Sequence, residues 1–191
     1  MEGWSRELWF DQTGLFWVQP SPNIPTLDSA TVFPGTVHLE GTQMSEGRGT
    51  TRPFELVGAP YVRATEFAKK LNSYELPGVF FRPSNFLPTF QKHGGTVCGG
   101  VQIHVLERGR FEPVKAGVAI LRVCIDLYGG KFRWKEPPYE YVFDHNPFDV
   151  ISGGESLRKA LERGDTLRSI EESWQEGLEA FREARQNFLL Y

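Results

Sequence analysis

The sequence has little of what marks several common classes of protein. It holds only two cysteines, Cys98 and Cys124, which excludes a disulfide-rich scaffold, and neither has a metal-binding spacing. Both lie among apolar residues and are predicted to be buried free thiols. The formal net charge of -3 provides no basic surface for nucleic acid or an anionic membrane. No apolar run approaches the roughly 18 residues of a membrane-spanning helix.

Aromatic residues, in contrast, are abundant at 14% of the chain, with fifteen phenylalanines. Several stand near the start, at Trp4, Trp9, Phe10, Phe16 and Trp17. Because exposing so many aromatic rings is unfavourable, they are expected to join the core of this domain or to face a partner. The first six residues include an early acid and no apolar segment, so no signal peptide is predicted.

Strands and helices are predicted to alternate irregularly, which indicates one α+β domain over residues 1–191. Short strands are expected at residues 36–39, 54–57, 78–81, 89–90 and 96–106, with Gly99 and Gly100 marking a bulge or a close approach. The about four to five helices are expected at residues 27–33 (stopped by Pro34 and Gly35), 63–71, 113–128, 155–163 and 167–188. The last and longest is predicted to bury a stripe formed by Ile170, Trp174, Leu178 and Phe181.

Residues 40–54, here called the charged loop, have the most unusual composition in the chain. Glu40, Glu46, Arg48 and Arg52 alternate there with three glycines and several hydroxyl side chains. Glycine lets the backbone approach a ligand closely, and arginine offers a planar fork of donors for a carboxylate or a phosphate. Two interpretations stay open, a ligand site and a loop braced by its own salt bridges.

The individual residues of this loop also allow two interpretations each. Glu40 and Glu46 are six residues apart and suit either a pair of glycosidase carboxylates or a turn cap and a partner for arginine. Arg48 suits bidentate binding of a carboxylate or a structural salt bridge. Residues 45–50 could form an anion-binding backbone nest, although they lack the lysine of a phosphate loop. Asn23, between prolines, presents its amide to a ligand or forms a turn.

The histidines favour structural roles. His38 and Glu40 would share one face of the predicted strand, but no third metal ligand is evident, so no metal and no cofactor are predicted. His104 is expected to be a satisfied or surface side chain, and His145 to form hydrogen bonds in a turn.

A series of motifs then identifies a family. It comprises Trp17-Val18, Asn23-Ile24-Pro25-Thr26, Phe33-Pro34-Gly35-Thr36, Leu39-Glu40-Gly41-Thr42, Ser45-Glu46-Gly47-Arg48-Gly49-Thr50, Pro53-Phe54-Glu55, Gly58-Ala59-Pro60, Leu76-Pro77-Gly78-Val79, Phe86-Leu87-Pro88-Thr89, Cys98-Gly99-Gly100-Val101-Gln102 and Phe188-Leu189-Leu190-Tyr191. In this order they resemble the NamZ/YbbC-type exo-β-N-acetylmuramidases, formerly a domain of unknown function. The resemblance covers essentially the whole chain.

The resemblance implies a place within a larger glycosidase. Family members look like two-part enzymes, in which a Rossmann-like N-terminal domain precedes an α+β C-terminal domain and the sugar lies in the cleft between them. They release terminal N-acetylmuramic acid from peptidoglycan fragments, and full-length members are expected in the periplasm or outside the cell. The chain resembles only the C-terminal part, and the catalytic glutamate of the family lies in the N-terminal part. No catalytic residue is therefore assigned in this chain.

The resemblance also suggests roles for individual residues. Arg48 would bind the lactyl carboxylate of N-acetylmuramic acid, while Glu40 and Glu46 would accept sugar hydroxyls or orient Arg48. The expected substrate-binding set is Asn23, Glu40, Ser45, Glu46, Arg48 and Thr50. The expected partners are the muramic sugar and either a Rossmann-like domain or a second copy of the chain. The alternatives are a non-catalytic module that binds amino sugars and a structural remnant of an enzyme.

Overall fold

A three-stranded antiparallel sheet and six α-helices make up the part of the chain that the computed structural model describes, residues 3–190. The strands are β1 (Leu56–Ala59), β2 (Val79–Phe86) and β3 (Cys98–Val105). The α-helices are α1 (Leu27–Thr36), α2 (Ala64–Asn72), α3 (Pro113–Tyr128), α4 (Pro147–Ser152), α5 (Ser156–Arg163) and α6 (Leu167–Arg185). Short 3-10 turns occupy Phe10–Gln12, Val37–Gly41 and Gln186–Phe188. The predicted α+β class and the long C-terminal helix are confirmed.

The sheet has the order β1-β3-β2, so β3 is its central strand. Val57 pairs with Val101, and Phe81 pairs with Ile103. Because side chains alternate across a strand, these four lie on one face, and all are buried in the main core with α2 and α3. The opposite face has a smaller apolar cluster formed by Leu56, Phe86 and Cys98.

The two cysteines are buried free thiols, as predicted. Burial raises the pKa of the Cys98 thiol to about 11 and that of Cys124 to about 12, because a thiolate is poorly solvated in an apolar environment. The Cys124 hydrogen bond to Tyr61 opposes this shift only in part. Both side chains therefore act as small apolar groups in the packing.

The sequence-based predictions for residues 27–39 were partly wrong. Thr26 caps α1 as expected, with its side chain accepting a hydrogen bond from the Ser29 amide. The helix nevertheless continues through Pro34 to Thr36, and the predicted strand at residues 36–39 is instead the end of α1 and a 3-10 turn. Pro34 stands near the end of the helix, where its missing donor removes only the bond to the Ala30 carbonyl.

Close backbone packing keeps this segment helical. A Cβ atom on Gly35 would lie 1.8 Å from the Pro113 carbonyl oxygen, and one on Gly117 would lie 2.3 Å from the Gly35 carbonyl oxygen. Helices α1 and α3 therefore touch through glycine at both sides of the contact. This tertiary contact outweighs the local tendency of Pro34 and Gly35 to end the helix.

Among the strands, the prediction for residues 96–106 is confirmed by β3. A Cβ atom on Gly100 would lie 1.9 Å from the Val57 carbonyl oxygen, so the two glycines mark a close approach. The strand predicted at residues 54–57 is shifted to Leu56–Ala59, and the one at residues 78–81 extends through Pro83 to Phe86. Proline is tolerated there because β2 is an edge strand of the sheet. Residues 89–90 form no strand.

The helices near the C-terminus follow the predictions in part. The helix expected at residues 155–163 is α5, while α4 before it was not predicted as a separate helix. In α6, Ile170 is buried and Trp174 packs partly against the core. Leu178 and Phe181 are 37% and 62% exposed, so the second half of the predicted stripe was wrong. Leu178 lines a surface depression together with Pro113 and Val114 in the first turn of α3.

The aromatic residues near the start pack on the surface of the domain. Phe10 and Trp17 form an edge-to-face pair with ring centroids 5.3 Å apart, and Trp17 Nε1 donates to the Pro25 carbonyl at 3.0 Å. Arg108 binds Asp11 through two 2.8 Å hydrogen bonds. Phe16 is 94% exposed. The prediction was that these aromatic residues either join the core of this domain or face a partner. Neither describes all of them, because part of the segment packs on the domain and part is exposed.

Within residues 3–190, no helix is both long enough and apolar enough to cross a membrane.

The contact between α1 and α3 predicts a large difference between two glycine substitutions. Gly117→Ala places a methyl group against the Gly35 backbone and is expected to destabilise the fold by about 1–3 kcal/mol, as overpacking does. The matched control is Gly177→Ala in α6, where a Cβ would meet no atom within 4 Å. That change is expected to stabilise by roughly 0.5–1 kcal/mol through helix propensity. Urea unfolding followed by circular dichroism measures both, and equal effects would contradict the contact.

Candidate functional site

The charged loop is held by tight backbone contacts. Gly47 and Gly49 have φ angles of 78° and 80°, in the left-handed region that favours glycine. A Cβ atom on Gly49 would lie 2.8 Å from the backbone of Phe90. The backbones of Ser45 and Gly58 exchange hydrogen bonds of 2.8 and 3.0 Å. The loop is therefore built into the fold beside β1, as the braced interpretation requires.

A second loop, residues 87–97, lies against it. The amide and the hydroxyl of Thr89 both donate to the Gly49 carbonyl oxygen at 2.9 Å. The His93 ring nitrogen Nε2 lies 2.7 Å from the Gln43 carbonyl oxygen. These contacts join the two loops along their length and bring Lys92 against the glutamates of the charged loop.

Five side chains form what we call the ion cluster: Glu40, Glu46, Arg48, Lys92 and Tyr139. The carboxylate of Glu46 is only 4% exposed, and its two oxygens lie 3.2 Å from Arg48 Nε and 2.8 Å from Lys92 Nζ. Arg48 also donates from its terminal nitrogen to Glu40. The Tyr139 hydroxyl donates to the other Glu40 oxygen at 2.9 Å. Every carboxylate oxygen of the cluster thus has a partner.

Lys92 connects the second loop to the 3-10 turn and the charged loop through three hydrogen bonds. Its ammonium group donates to the Leu39 carbonyl at 2.8 Å, to the Met44 carbonyl at 3.0 Å and to Glu46 at 2.8 Å. These three acceptors use all three N–H groups of the ammonium. Burial lowers the pKa of Lys92 below its ordinary value, and the charge of Glu46 opposes that shift. Lys92 therefore fastens the second loop to the first.

The charge states of Arg48 and Tyr139 follow from the same contacts. Burial acts to lower the pKa of the Arg48 guanidinium, but the hydrogen bond to Glu40 and the charges of Glu40 and Glu46 outweigh it, so this pKa is raised. Burial raises the pKa of the Tyr139 phenol above its ordinary value of 10.0, and the hydrogen bond to Glu40 raises it further. At neutral pH Arg48 is thus a cation and Tyr139 a neutral donor.

A cavity of about 230 Å³ opens onto the ion cluster. Its lining consists of Glu40, Glu46, Arg48, Gln91, Lys92, Lys135, Tyr139 and Glu140. Polar groups dominate this lining, and their fixed positions suit the recognition of a small polar group by hydrogen bonds. The volume is on the scale of a single sugar unit and is too small for an extended chain.

A larger groove of about 930 Å³ lies beside other residues of the same loops. Asn23 and Thr50 line it together with Phe86, Leu87 and Phe90. The Thr50 hydroxyl donates to the Gly47 carbonyl at 2.6 Å and so stabilises the turn. The backbone N–H of Asn23 donates a hydrogen bond to the Ser21 hydroxyl at 3.2 Å.

The structure therefore divides the predicted binding set. Glu40, Glu46 and Arg48 are brought together around the small cavity, whereas Asn23 and Thr50 line the larger groove. Ser45 faces neither, because it is buried and its hydroxyl accepts a hydrogen bond from the Gly47 amide at 3.1 Å. Its contribution is to the shape of the turn.

Sequence reasoning missed Lys92, Lys135 and Tyr139. These residues stand about 40 to 100 positions beyond the charged loop, and no local motif connects them to it. The charge of the loop gave no signal either, because Arg48 and Arg52 already balance Glu40 and Glu46 in the sequence. The sequence offers many lysines, so only the tertiary structure selects these.

The histidines singled out in the sequence contact other groups of the protein. His104 Nε2 accepts a hydrogen bond from Arg82 Nε at 3.2 Å, so it is satisfied as predicted. His38 lies in a 3-10 turn, so the strand face it was expected to share with Glu40 does not exist. Its Nδ1 atom lies 3.0 Å from the Gly35 carbonyl oxygen, and burial lowers the pKa of its imidazole. His145 contacts Asp144 at 2.7 Å. In the described residues, no group of three histidine, cysteine or acidic side chains is arranged to hold a metal ion.

Comparison with known proteins identifies the family. The model of the C-terminal region of the exo-β-N-acetylmuramidase NamZ matches residues 31–191. The chain belongs to this NamZ C-terminal family. The peptidoglycan β-N-acetylmuramidase NamZ of Bacillus subtilis strain 168 is 43% identical over 191 residues, which cover all of this chain and 44% of that protein. The resemblance inferred from the sequence motifs is thereby confirmed.

A solved structure agrees with this assignment to the NamZ C-terminal family. A DUF1343 family protein from Bacteroides fragilis superposes with a TM-score of 0.86 at 30% identity, over 99% of this chain and 49% of that chain. A second DUF1343 family protein from the same organism shares the fold, with a TM-score of 0.58 at 24% identity over 91% of this chain and 43% of that one. The chain thus spans slightly less than half the length of the relatives it matches.

The buried cluster predicts that Lys92 contributes strongly to stability. Lys92→Met leaves Glu46 with Arg48 as its remaining cation and removes the donors to two carbonyl groups, so we expect a loss of about 3–5 kcal/mol, typical of a broken buried pair. The double variant Lys92→Met/Glu46→Gln should recover part of that loss. Exposed Lys69→Met is the control, and denaturant unfolding is the measurement. If Lys92→Met lowers the free energy of unfolding no more than Lys69→Met does, Lys92 does not hold the two loops together.

The raised pKa of Tyr139 predicts that its hydrogen bond to Glu40 stabilises the fold in a pH-dependent way. Its folded pKa lies above the unfolded value of 10.0, so its stabilisation is complete below about pH 10 and decreases as the pH rises through the folded pKa. Tyr139→Phe should cost about 1.5 kcal/mol at pH 8, as loss of a hydrogen bond to a charged group does. The difference from the parent chain should shrink at more alkaline pH. Tyr141→Phe, at a side chain that is 91% exposed, should show no such pH dependence in the same unfolding series.

Proposed function

We propose that this chain forms the substrate-recognition part of an exo-acting glycoside hydrolase that releases terminal N-acetylmuramic acid from peptidoglycan fragments. The observation that carries the proposal is its 43% identity, over its whole length, to a peptidoglycan β-N-acetylmuramidase. The small cavity of the ion cluster supports it, because several donors and acceptors converge there on a space on the scale of a single sugar unit.

In this proposal Arg48 and Glu40 contact the sugar directly. A guanidinium has five N–H groups, and the contacts to Glu40 and Glu46 engage the Nε atom and one terminal nitrogen. The remaining donors are available to sugar oxygens, and the Arg48 side chain is 26% exposed at the cavity. Glu40, 14% exposed, has lone pairs left to accept from sugar hydroxyls. Glu46 is buried and orients Arg48.

The groove residues Asn23 and Thr50 extend the binding surface in this proposal. The second loop connects the two depressions, since Phe90 lines the groove and Gln91 lines the cavity. Aromatic and hydroxyl groups beside a polar cavity suit the apolar face and the hydroxyls of a neighbouring sugar. Ser45 acts indirectly by shaping the turn.

The proposal assigns no catalytic step to the ion cluster. Hydrolysis of a glycosidic bond requires a carboxylic acid to protonate the leaving oxygen. Both oxygens of Glu40 and both of Glu46 are engaged by donors inside the domain, so neither is positioned for that task. The catalytic glutamate would come from the Rossmann-like part that the family resemblance implies for full-length relatives.

Arg48 provides the test of this function. In the full-length gene product, Arg48→Ala should lower kcat/KM on a chromogenic N-acetylmuramic acid glycoside by roughly tenfold or more, because hydrogen bonds from a charged donor are lost. Arg110→Ala, at an exposed position away from the cavity, is the matched control. Binding is measured in parallel by calorimetric titration with N-acetylmuramic acid.

The outcomes separate the alternatives. Turnover that decreases with Arg48→Ala and not with Arg110→Ala supports the recognition role. Binding of the sugar without turnover would identify a non-catalytic module. If the parent protein neither binds nor cleaves the muramic sugar at millimolar concentration, the proposed function is wrong.

A further inference from the structure

We propose that Lys135, rather than Arg48, provides the positive charge that selects an acidic sugar in the cavity. The inference rests on the proposed function and deepens it, because it concerns how the same cavity distinguishes a sugar acid from its neutral counterpart. The argument depends on which of the cationic side chains around the cavity already have anionic partners.

Two of the three cations that line the cavity are occupied. Arg48 shares its charge between Glu40 and Glu46. Lys92 binds Glu46 and two backbone carbonyls, which exhausts its donors. A ligand carboxylate approaching either of them would compete with buried carboxylates that the fold already holds in place. Arg48 therefore remains a donor of hydrogen bonds, but its charge is compensated.

Lys135 differs from both. Its ammonium group lies 5.4 Å from the centre of the Tyr139 ring, in a cation–π contact, and its backbone amide donates to the Gly41 carbonyl at 2.9 Å. Within residues 3–190, its side chain forms no ion pair and no hydrogen bond. Its half-buried position at the cavity keeps the charge from being fully screened by water. An anionic ligand group would thus gain most beside Lys135.

Glu140 is the remaining charged group of the lining. It is exposed to solvent, and no ion pair joins it to Lys135 among the described side chains. Its charge is screened more strongly than that of a half-buried group. Arg48 and Lys92 are paired with Glu40 and Glu46, so Lys135 is the cation of the cavity lining without an anionic partner among the described residues. The Tyr139 ring contacts its ammonium group. The neighbouring Tyr139 hydroxyl is already committed to Glu40.

The chemical class of ligand follows from this arrangement. A sugar with a short carboxylate-bearing arm, such as the lactyl group of N-acetylmuramic acid, places an anion beside Lys135 while its ring hydroxyls face Glu40 and Arg48. N-acetylglucosamine has the same ring and acetamido group, with a hydroxyl in place of the lactyl arm. The two sugars therefore differ only by the acidic arm, and Lys135→Met separates the effect of its charge from that of its bulk.

The test compares both sugars on four forms of the full-length gene product: the parent, Lys135→Met, Arg48→Ala and Lys131→Met. Lys131 belongs to the same connection between α3 and α4 but is exposed and outside the cavity lining, which makes it the matched control. Dissociation constants are measured by titration for N-acetylmuramic acid and for N-acetylglucosamine. The quantity of interest is the ratio of the two constants.

We expect the parent protein to prefer the acid, and Lys135→Met to reduce that preference by roughly tenfold, as loss of a charge-assisted contact does. Affinity for the neutral sugar should stay unchanged in that variant. Arg48→Ala should weaken the binding of both sugars by similar factors, and Lys131→Met should leave both dissociation constants unchanged. This pattern supports Lys135 as the residue that determines specificity.

Three other outcomes overturn the inference and are distinguishable. If the parent prefers the acid and Lys135→Met keeps that preference while Arg48→Ala removes it, the acid is held by Arg48 and the proposed function stands. If the parent binds both sugars equally, the role of Lys135 fails and the proposed function stands. If the parent binds neither sugar, both fail.

Discussion

The buried carboxylate of Glu46 is the constraint on which the candidate site depends. A charge taken out of water is stable only with well-placed partners, and Glu46 obtains them from Arg48 within its own loop and from Lys92 in another. Lys92 in turn holds the carbonyls of Leu39 and Met44. Lys92 thereby joins the 3-10 turn, the charged loop and the second loop into one wall of the cavity.

Close backbone contacts provide the frame for that wall. Glycines at the crossing of α1 and α3, at the β1–β3 pairing and at the two loops allow approaches that a side chain would block. The turn after α1 positions Glu40, and the pairing of Ser45 with Gly58 positions the charged loop beside the sheet. The cavity is therefore pre-formed, and binding there would require little ordering of the protein.

The family relationship and the site geometry address different questions. Matches over the whole chain show membership in the NamZ C-terminal family, while those relatives extend over more than twice its length. The geometry shows which side chains have spare hydrogen-bonding capacity and which are committed to the fold. The proposed role in recognition, without a catalytic step, follows from carboxylates whose oxygens already accept hydrogen bonds inside the domain.

The sequence by itself determined the class of the fold, the long helices, the central strand β3 and the family, because long periodic segments and serial motifs carry strong local signals. It also located the charged loop with Glu40, Glu46 and Arg48. It misjudged Pro34 and residues 36–39, since packing of α1 against α3 decides the conformation of that segment and local propensity does not. It also misjudged the second half of α6, because helical periodicity shows which residues share a face and not how far along the helix that face is buried. Lys92, Lys135 and Tyr139 entered the site only through the tertiary structure. Their selection depends on which distant cations and donors the fold places beside a buried carboxylate, and sequence spacing does not encode that distance.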